Sequence, residues 1–334
     1  MFDLTMIWVL LIGFGILMYV ISDGFDLGVG VLFWFTPDET LRDQMMQSIA
    51  PVWDGNETWL ILGGAGLLAA FPLIYAVFLP ALYLGVFLML AGLILRGVAF
   101  EFRFNAGPKG RRFWGQAFAF GSTLAAFAQG VVVGAYIQGM VVVDGQFAGN
   151  AFDWLSVFTV ITGLALVVGY TLLGGGWLIF KTRGALYARI KQQIWWVWLA
   201  MLGLMLLSIV FGLQVQPLIG QRWRENPIWV LVGLVLLSVL LLRLYQVIHA
   251  GRHGRGQHAD ITIFALSLLV FLVAFVSLIA SLWPYAIVPT HTFADAASSE
   301  DSQMFILIGA SFVLPLVLIY SAWTYWMFRG KINA

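Results

Sequence analysis

The sequence contains no cysteine. Disulfide bonds, thiolate nucleophiles, iron–sulfur clusters and zinc sites with thiolate ligands are therefore excluded for this chain. Charged residues are also scarce, at 10% of the 334 residues, whereas about 25% is usual in a soluble domain. The net charge of +1 and the lack of a basic tail give no sign of nucleic-acid binding.

Apolar residues dominate what is present. They make up 61% of the chain, and the mean hydropathy is +0.94. A soluble fold of this length cannot bury so much apolar surface, because many of its residues stay at the boundary. The alternating pattern of a membrane β-barrel is absent. The sequence therefore predicts an all-α, polytopic integral membrane protein.

Nine stretches have the length of membrane-spanning helices. The separation of the second from the third depends on a short turn near FPLIY. Neither an internal repeat nor a soluble domain is recognisable, so we expect a single membrane domain over residues 1–334. The predicted spans are roughly 5–29, 57–74, 76–101, 113–138, 154–180, 194–215, 228–248, 261–285 and 304–328.

The distribution of Lys and Arg predicts the orientation. With the N-terminus outside, 15 of the 17 basic residues fall in inner segments, and only Arg222 and Arg224 lie outside. This is a strong positive-inside bias. The start MFDLTM has no basic residue of the kind that opens a secretory signal. We therefore expect an uncleaved first span, an outer N-terminus and a cytoplasmic C-terminus.

Glycines recur where helices could approach one another closely. Gly24 and Gly28 have GxxxG spacing in the first span, which favours helix packing. A phosphate loop is excluded, because no Lys-Ser/Thr pair follows the glycines. Further candidates for close packing are Gly63, Gly64, Gly66 and Gly174 to Gly176.

Two aspartates interrupt the apolar first span. Asp23 and Asp26 are three residues apart and so share one helix face. A carboxylate inside a membrane helix costs about 2.5–3.5 kcal/mol. One interpretation is a buried structural contact, and the other is a route that carries protons inward from the basic side.

Two later segments bring more polar residues to the same inner level. PVWDGNETW contains Asp54 and Glu57, and LILRGVAFEFR contains Arg96 and Glu101. Asp54 and Glu57 could simply cap a helix start. Alternatively, they and Glu101 belong with the two buried aspartates in a proton pathway. Arg96 is the expected charge partner, for which Asp23, Asp26 and Asp54 are all candidates.

The histidines indicate where a redox metal would lie. His249, His253, His258 and His291 all fall in predicted loops or at a helix edge. A membrane haem b usually takes at least one histidine ligand from a span. We therefore expect no metal site in this chain and expect any redox metal to belong to a partner. HAGRHGRGQH could suggest metal binding, but a solvated basic inner loop is favoured.

Four motifs carry a family resemblance. They are SDGFDLGVG, SIAPVWDGNETWLI, LRGVAFEFR and YSAWTYWMF, and the outer stretch PTHTFADAASS accompanies them in order. The chain resembles subunit II of bacterial cytochrome bd-type quinol oxidases. The segment near QRWREN and the short overall length resemble the cyanide-insensitive branch of that family.

The resemblance implies a heterodimer in the bacterial cytoplasmic (inner) membrane. The partner, subunit I, is expected to hold two haems b, haem d and the quinol site, while this chain binds no haem. The complex would oxidise quinol and reduce O2 to water with protons from the cytoplasm. Some family members hold a structural quinone in subunit II, and small single-helix accessory subunits can accompany the pair.

The resemblance also assigns roles to individual residues. Trp53 and Asp54 fall on the proton-entry region of the family, and Asp26 falls on an acid of the same polar region. Trp59 falls on a tryptophan beside an O2 access route. Glu57 departs from the family pattern, which often has an amide there.

Two other functions compete with this reading. A proton-coupled secondary transporter would also use acids inside the membrane, but the inverted repeat and the paired broken helices of such transporters are not recognisable. A purely structural scaffold for a haem subunit would have the same lack of haem ligands. If the chain is an oxidase subunit, whether proton-conducting or purely structural, the catalytic residues of the oxidase are expected to lie outside it.

Overall fold

The helices of the computed structural model account for most of residues 3–252 and 259–332, the two ranges that the structure describes. Twelve α-helices, one 3-10 helix and two short hairpins occur in these ranges. The helices are α1 (Leu4–Leu32), the 3-10 helix (Phe33–Phe35), α2 (Glu39–Ile49), α3 (Trp53–Ala70), α4 (Pro72–Asn105), α5 (Pro108–Gln138), α6 (Val157–Lys181), α7 (Gly184–Val215), α8 (Pro217–Glu225), α9 (Pro227–Arg252), α10 (Ala259–Leu282), α11 (Phe293–Ala296) and α12 (Glu300–Met327). The hairpins pair β1 (Val142–Val143) with β2 (Gln146–Phe147) and β3 (Tyr285–Ile287) with β4 (His291–Thr292), both antiparallel.

The predicted all-α membrane class is confirmed. Within the described ranges, eight helices are long and apolar enough to cross a membrane, namely α1, α4, α5, α6, α7, α9, α10 and α12. Helix α3 takes the place of the remaining predicted span. The first five of its 18 residues include Asp54, Asn56 and Glu57, and these polar residues keep its mean hydropathy too low for it to be counted among the spans.

The break between α3 and α4 lies at Phe71, within the predicted FPLIY turn. Pro72 is the first residue of α4, where the missing N–H of proline costs no helical hydrogen bond. Helix α3 therefore covers Trp53–Ala70 rather than 57–74. The difference arises because hydropathy detects the apolar part of a helix, whereas the hydrogen-bonded helix begins in the polar WDGNE segment.

Helix α7 shows the same effect at its start. It begins at Gly184 rather than at the predicted residue 194. Its charged first turns contact the 3-10 helix that follows α1, where Arg189 donates to the carbonyl oxygen of Phe35 over 2.7 Å. Backbone hydrogen bonding thus continues beyond the apolar stretch into the polar boundary.

Helices α1 and α6 cross where both carry glycine. A Cβ atom on Gly28 would overlap the carbonyl oxygen of Tyr170, and one on Gly174 would lie 2.8 Å from the carbonyl oxygen of Phe25. A Cβ atom on Gly24 would lie 2.6 Å from the Tyr170 ring. The predicted role of Gly24 and Gly28 in close packing is confirmed.

The other predicted glycines behave differently from one another. A Cβ atom on Gly66 would lie 2.9 Å from Ile12, whereas one on Gly63 would make an ordinary contact with Ile16 at 3.4 Å. Gly64 has no described atom within 4 Å of that position and is exposed. A further close crossing that the spacing did not indicate joins Gly92 of α4 to Gly121 of α5.

Basic residues gather at one end of the bundle, here called the basic end. Lys331 forms a 2.8 Å ion pair with Asp260 at the start of α10. The ammonium group of Lys181, at the end of α6, donates to the carbonyl oxygens of Phe328 and Gly330. The positive-inside rule makes this the cytoplasmic end.

We predict that Gly28→Ala destabilises the protein, because the added methyl group meets the α6 backbone and must push the helices apart. Overpacking of this kind costs about 1–3 kcal/mol. The measurement is the midpoint temperature of unfolding of the purified protein in detergent. Gly64→Ala is the control, since it adds the same methyl group into open space. Equal midpoints for the two variants would contradict the crossing.

Candidate functional site

Asp23 and Asp26 lie in the last third of α1 and are fully buried, with 0% of each residue exposed. They are about 9–14 Å from the end of α1 at Leu32, taking a rise of 1.5 Å per residue. The carboxyl groups face protein, since Asp23 binds Arg96 of α4 and Asp26 accepts a hydrogen bond from Asn56 of α3. The site is therefore an internal one.

Arg96 is the cation of the site. Its guanidinium group reaches Asp23 Oδ1 at 2.6 Å with Nη1 and Glu57 Oε2 at 2.9 Å with Nη2. Arg96 is 1% exposed, and its charge also lies over the Trp53 ring, 5.8 Å from the centroid. Of the candidates named above, Asp23 is the one that it pairs with, and the second partner is Glu57.

Asp26 is held by an amide instead. Asn56 Nδ2 donates to Asp26 Oδ2 over 2.7 Å and also contacts the carbonyl oxygen of Ser22 at 3.3 Å. Tyr325 of α12 donates its hydroxyl proton to Asn56 Oδ1 over 2.7 Å. Asp26 Oδ1 is buried and has no hydrogen-bond partner among the described residues.

Charge is unevenly distributed in this cluster. Asp23, Asp26 and Glu57 offer three carboxyl groups to the single guanidinium of Arg96. Glu57 is the member nearest to solvent, with 32% of its side chain exposed. Buried charge is costly unless it is paired and hydrogen-bonded. The arrangement thus has more acid than its one base can neutralise.

A second set of polar groups continues from Asp23 between α1, α5 and α6. Tyr170 donates to Gln129 Oε1 over 2.9 Å, and Gln129 Nε2 donates to the Tyr19 hydroxyl over 2.7 Å. Tyr19 in turn interacts electrostatically with Asp23. The polar network therefore extends from the charged cluster toward the middle of the bundle.

A separate ion cluster joins α2, α4 and α5 nearer the basic end. Arg103 is fully buried and binds Glu39 at 2.6 Å and Asp43. Arg111 also binds Asp43, and Arg42 binds Glu39 at 2.8 Å. This cluster has three cations for two carboxylates and ties the helix ends together.

Other residues assigned to the proton pathway lie outside the buried cluster. Asp54 and Glu101 are exposed, and neither has a described hydrogen bond or ion pair with Arg96. Asp54 lies in the first turn of α3 without capping it through a side-chain hydrogen bond. Trp53 packs on Phe100, with ring centroids 4.9 Å apart, beside Arg96.

Trp59, assigned to O2 access, is 2% exposed and faces α1. Its ring meets the ring of Phe14 edge to face at 5.8 Å. A Cβ atom on Gly15 of α1 would meet Leu62, one turn further along α3. Trp59 therefore lies in an apolar contact between α1 and α3.

The two described histidines lie at a helix end and in a hairpin. His249 lies near the end of α9 and stacks on Tyr245, with ring centroids 5.7 Å apart. His291 lies in the β4 hairpin. His253 and His258 lie outside the described residues. Within the described ranges, no group of three or more His, Asp or Glu side chains is placed to hold a metal ion.

Sequence reasoning missed several polar members of the network. Gln129 is buried in an apolar span and is as unusual there as Asp23, so it could have been flagged on composition alone. Tyr19, Tyr170 and Tyr325 give no such signal, because tyrosine is common near membrane boundaries. Their hydroxyl partners come from distant parts of the chain.

Comparison with known proteins gives a consistent family. Residues 4–328 match the sequence profile described as "Cytochrome bd terminal oxidase subunit II". The "Cytochrome bd-I ubiquinol oxidase subunit 2" of Escherichia coli strain K12 is 28% identical over 363 residues, which cover 99% of this chain and 95% of that protein. The "Cytochrome bd ubiquinol oxidase subunit 2" of Bacillus subtilis strain 168 is 26% identical over 334 residues, covering 98% and 96%.

A solved structure shares the fold. It is the bd oxidase from Geobacillus thermodenitrificans, which aligns with a TM-score of 0.76 at 18% identity. The alignment covers 97% of this chain and 98% of the other.

We predict that Arg96→Leu strongly destabilises the protein, because it leaves Asp23 buried without its cation. Breaking a buried pair on one side costs about 3–5 kcal/mol. The readout is the fraction that remains folded and monodisperse after heating in detergent. Combining Arg96→Leu with Asp23→Asn removes both charges and should recover most of the loss. The control is Arg112→Leu at an exposed position of α5, and equal loss in both single variants would contradict the ion pair.

Proposed function

The chain belongs to the family of cytochrome bd terminal oxidase subunit II, and from this premise we propose that its buried acids carry protons toward the site of oxygen reduction. It is a subunit of a quinol oxidase, an oxidoreductase complex, and a multi-pass protein of the bacterial inner membrane. The observation that carries the proposal is that three carboxyl groups, those of Asp23, Asp26 and Glu57, share the single guanidinium of Arg96, and that two of them are fully buried.

Haem belongs to the complex, since the family is a cytochrome, and a partner subunit accompanies this chain. In our proposal two haems b and haem d are held by subunit I and none by this chain. Bound haem supplies the electron transfer from quinol to O2. The positions of His249 and His291 at a helix end and in a hairpin support this division.

The two aspartates are proposed to have different tasks. Asp23 is bound by the guanidinium of Arg96 and interacts electrostatically with Tyr19, so we assign it the role of counter-ion of Arg96. Each carboxyl group has one buried oxygen without a described partner, Asp23 Oδ2 and Asp26 Oδ1, but Asp26 accepts only an amide hydrogen bond and has no cation bound to it. Asp26 is therefore the group that can accept a proton at Oδ1 and release it again.

Supply from the basic end is proposed to pass the outer members of the predicted pathway. Glu57 touches both solvent and Arg96. Trp53, Asp54 and Glu101 lie nearer the basic end, where water is available. A reaction that consumes protons beneath an apolar layer needs such polar side chains, because an isolated charge cannot cross hydrocarbon.

Two further roles are proposed from the family resemblance. The buried, apolar contact of Trp59 with Phe14 is compatible with passage of O2, an apolar molecule, along the α1–α3 boundary. A structural quinone and single-helix accessory subunits are proposed as additional partners of the complex, whose substrates are quinol and O2.

A structural scaffold is the alternative role for the chain within the oxidase. The ion pairs of Arg96 connect α1, α3 and α4 and would stabilise the bundle without moving any proton. The family assignment favours an oxidase subunit over a secondary transporter. The two roles predict different results when a buried acid is replaced by its neutral amide. O2 reduction slows if the acid conducts protons, and it is unchanged if the chain is only a scaffold.

We predict that Asp26→Asn slows O2 reduction by at least about tenfold, a loss typical of removing a proton-transfer group. The reason is that the amide keeps the shape and the Asn56 contact of the carboxyl group but cannot carry a proton. The measurement is O2 consumption at saturating quinol. Asp54→Asn is expected to slow turnover as well, by a smaller factor.

The control is Asp144→Asn in the turn between β1 and β2, which makes the same chemical change outside the spans. Visible haem spectra must be unchanged in all three variants. Normal turnover of the Asp26→Asn complex, with its haem content intact, would favour the scaffold.

We also predict that replacing all four histidines of this chain by alanine leaves the haem-to-protein ratio and the visible spectrum of the complex unchanged. We expect this because the residues that ligate the haem irons are proposed to belong to subunit I. Loss of any haem band would show that this chain ligates iron. The co-purification of a larger haem-bearing subunit is checked in the same preparation.

A further inference from the structure

Two of the 17 basic residues fall on the outer side of the predicted topology, and both belong to one short helix. Arg222 and Arg224 lie in α8, which connects the spans α7 and α9. Basic residues beside the outer ends of spans oppose the positive-inside bias that the rest of the chain follows. The two arginines therefore call for an interaction at the outer surface.

Helix α8 is confined to the outer membrane surface, because single residues join it to membrane-spanning helices at both ends. Gln216 separates it from α7, and Asn226 separates it from α9. Gln216 is buried, and its amide donates to the carbonyl oxygens of Ile137 and Gln138 over 3.3 and 3.4 Å. The bend between α7 and α8 is therefore fixed, and the short links keep α8 in the headgroup layer.

One side of α8 packs on protein. Ile219 is buried in an apolar cluster with Leu282, and the indole of Trp223 donates to Ser281 Oγ of α10 over 3.1 Å. Arg224 lies on the opposite side of the helix and is exposed. The protein thus holds α8 by its apolar side and leaves a charged side at the level of the lipid headgroups.

The two guanidinium groups differ in how far they are neutralised. Arg222 Nη1 lies 3.8 Å from Glu225 Oε2, which makes a long ion pair. Among the described residues, no acid lies within ion-pair distance of Arg224. A Cβ atom on Gly220 would lie 3.7 Å from Arg224 Nη1, so the guanidinium group lies close to the bare backbone of Gly220. Arg224 is therefore an unopposed cation on the exposed side of α8.

Two large apolar side chains follow α8 at the start of α9. Ile228 and Trp229 are 74% and 75% exposed, and tryptophan is enriched at the boundary between headgroups and acyl chains. A lipid molecule beside this turn has its phosphate at the level of the arginines and its acyl chains against Ile228 and Trp229. The planar guanidinium group of arginine binds phosphate through two parallel N–H donors.

We propose that α8 and the first turn of α9 form a binding site for an anionic phospholipid of the outer leaflet, with phosphatidylglycerol as the matching headgroup. Arg224 binds the phosphate, Arg222 supports it, and the acyl chains lie along Ile228 and Trp229. A zwitterionic phospholipid is a poorer ligand, because its own ammonium group opposes the phosphate charge. The site lies at the opposite end of the bundle from the basic end and does not depend on the proposed proton pathway.

The absence of cysteine from this chain permits a local test. The Ile228→Cys chain is labelled with bimane in the intact complex, which is reconstituted in phosphatidylcholine vesicles that contain brominated phosphatidylglycerol or brominated phosphatidylcholine. Bromine on the acyl chains quenches only a nearby fluorophore, so the quenching reports which lipid lies beside α8. We expect a preference for phosphatidylglycerol on the order of fivefold, the effect of one basic residue near an anionic surface. The complex without the substitution, treated in the same way, corrects for cysteines of the partner.

Charge variants of the labelled complex identify the residues that bind the lipid. Arg224→Gln should lower the preference to nearly one, and Arg222→Gln should lower it less, because Glu225 already opposes that charge. Glu225→Gln should raise the preference, a gain that a purely structural role of α8 does not predict. The control is Lys109→Gln combined with Arg112→Gln at exposed positions of the basic end. It removes two positive charges from the other leaflet and should leave the quenching unchanged, and unchanged haem spectra show that each complex is assembled.

Three results would overturn the lipid site. The first is equal quenching by the two brominated lipids while both arginines are present. The second is a preference that Arg224→Gln leaves intact, and the third is an equal loss of preference in the control variant. If Arg224→Gln removes the preference and Glu225→Gln leaves it unchanged, Arg222 is excluded from the site and Arg224 remains.

Discussion

The buried guanidinium group of Arg96 is the constraint on which the rest of the structure depends. A cation deep in an apolar bundle must be paired, and its two partners come from different helices, Asp23 from α1 and Glu57 from α3. The relative height and rotation of α1, α3 and α4 are therefore fixed by one side chain. The same pairing places the unpaired acid, Asp26, one turn further along α1 and next to Asn56. Structure and proposed chemistry thus share a single electrostatic requirement.

Close packing makes that pairing possible. Gly24 and Gly28 pack one side of α1 on α6, while the two aspartates meet α4 and α3 and are fully buried, so the carboxyl groups lie in a medium of low dielectric constant. In such a medium a carboxyl–guanidinium pair is strong and an unpaired carboxylate is costly. A looser crossing would admit water and let all three acids ionise independently. The packing of α1 on its neighbours is therefore part of the electrostatics of the cluster.

The sequence was sufficient to predict the fold class, most of the helices and the common depth in the membrane of Asp23, Asp26 and Arg96. Those predictions depend on local hydropathy and on the cost of charge in lipid, and both are visible in a short window. The choice of Asp23 rather than Asp26 as the partner of Arg96 depends on side-chain geometry across two helices. Tyr325 joins Asn56 from a position 269 residues away, and no local pattern indicates that contact. The start of α3 at Trp53 was likewise not predicted from hydropathy, because its first turn is polar.

The direction of the neutral hydrogen bonds gives the cluster its last property. Tyr325 donates to Asn56, which donates to Asp26, and Tyr170 donates to Gln129, which donates to Tyr19 beside Asp23. Each amide accepts a hydrogen bond from a phenol. Asn56 then donates to a carboxyl oxygen of Asp26, whereas Gln129 donates to the Tyr19 hydroxyl, which interacts electrostatically with Asp23. Neutral donors stabilise negative charge without supplying a cation. The surroundings can therefore tolerate one acid that gains and loses a proton while its neighbour remains the fixed counter-ion of Arg96.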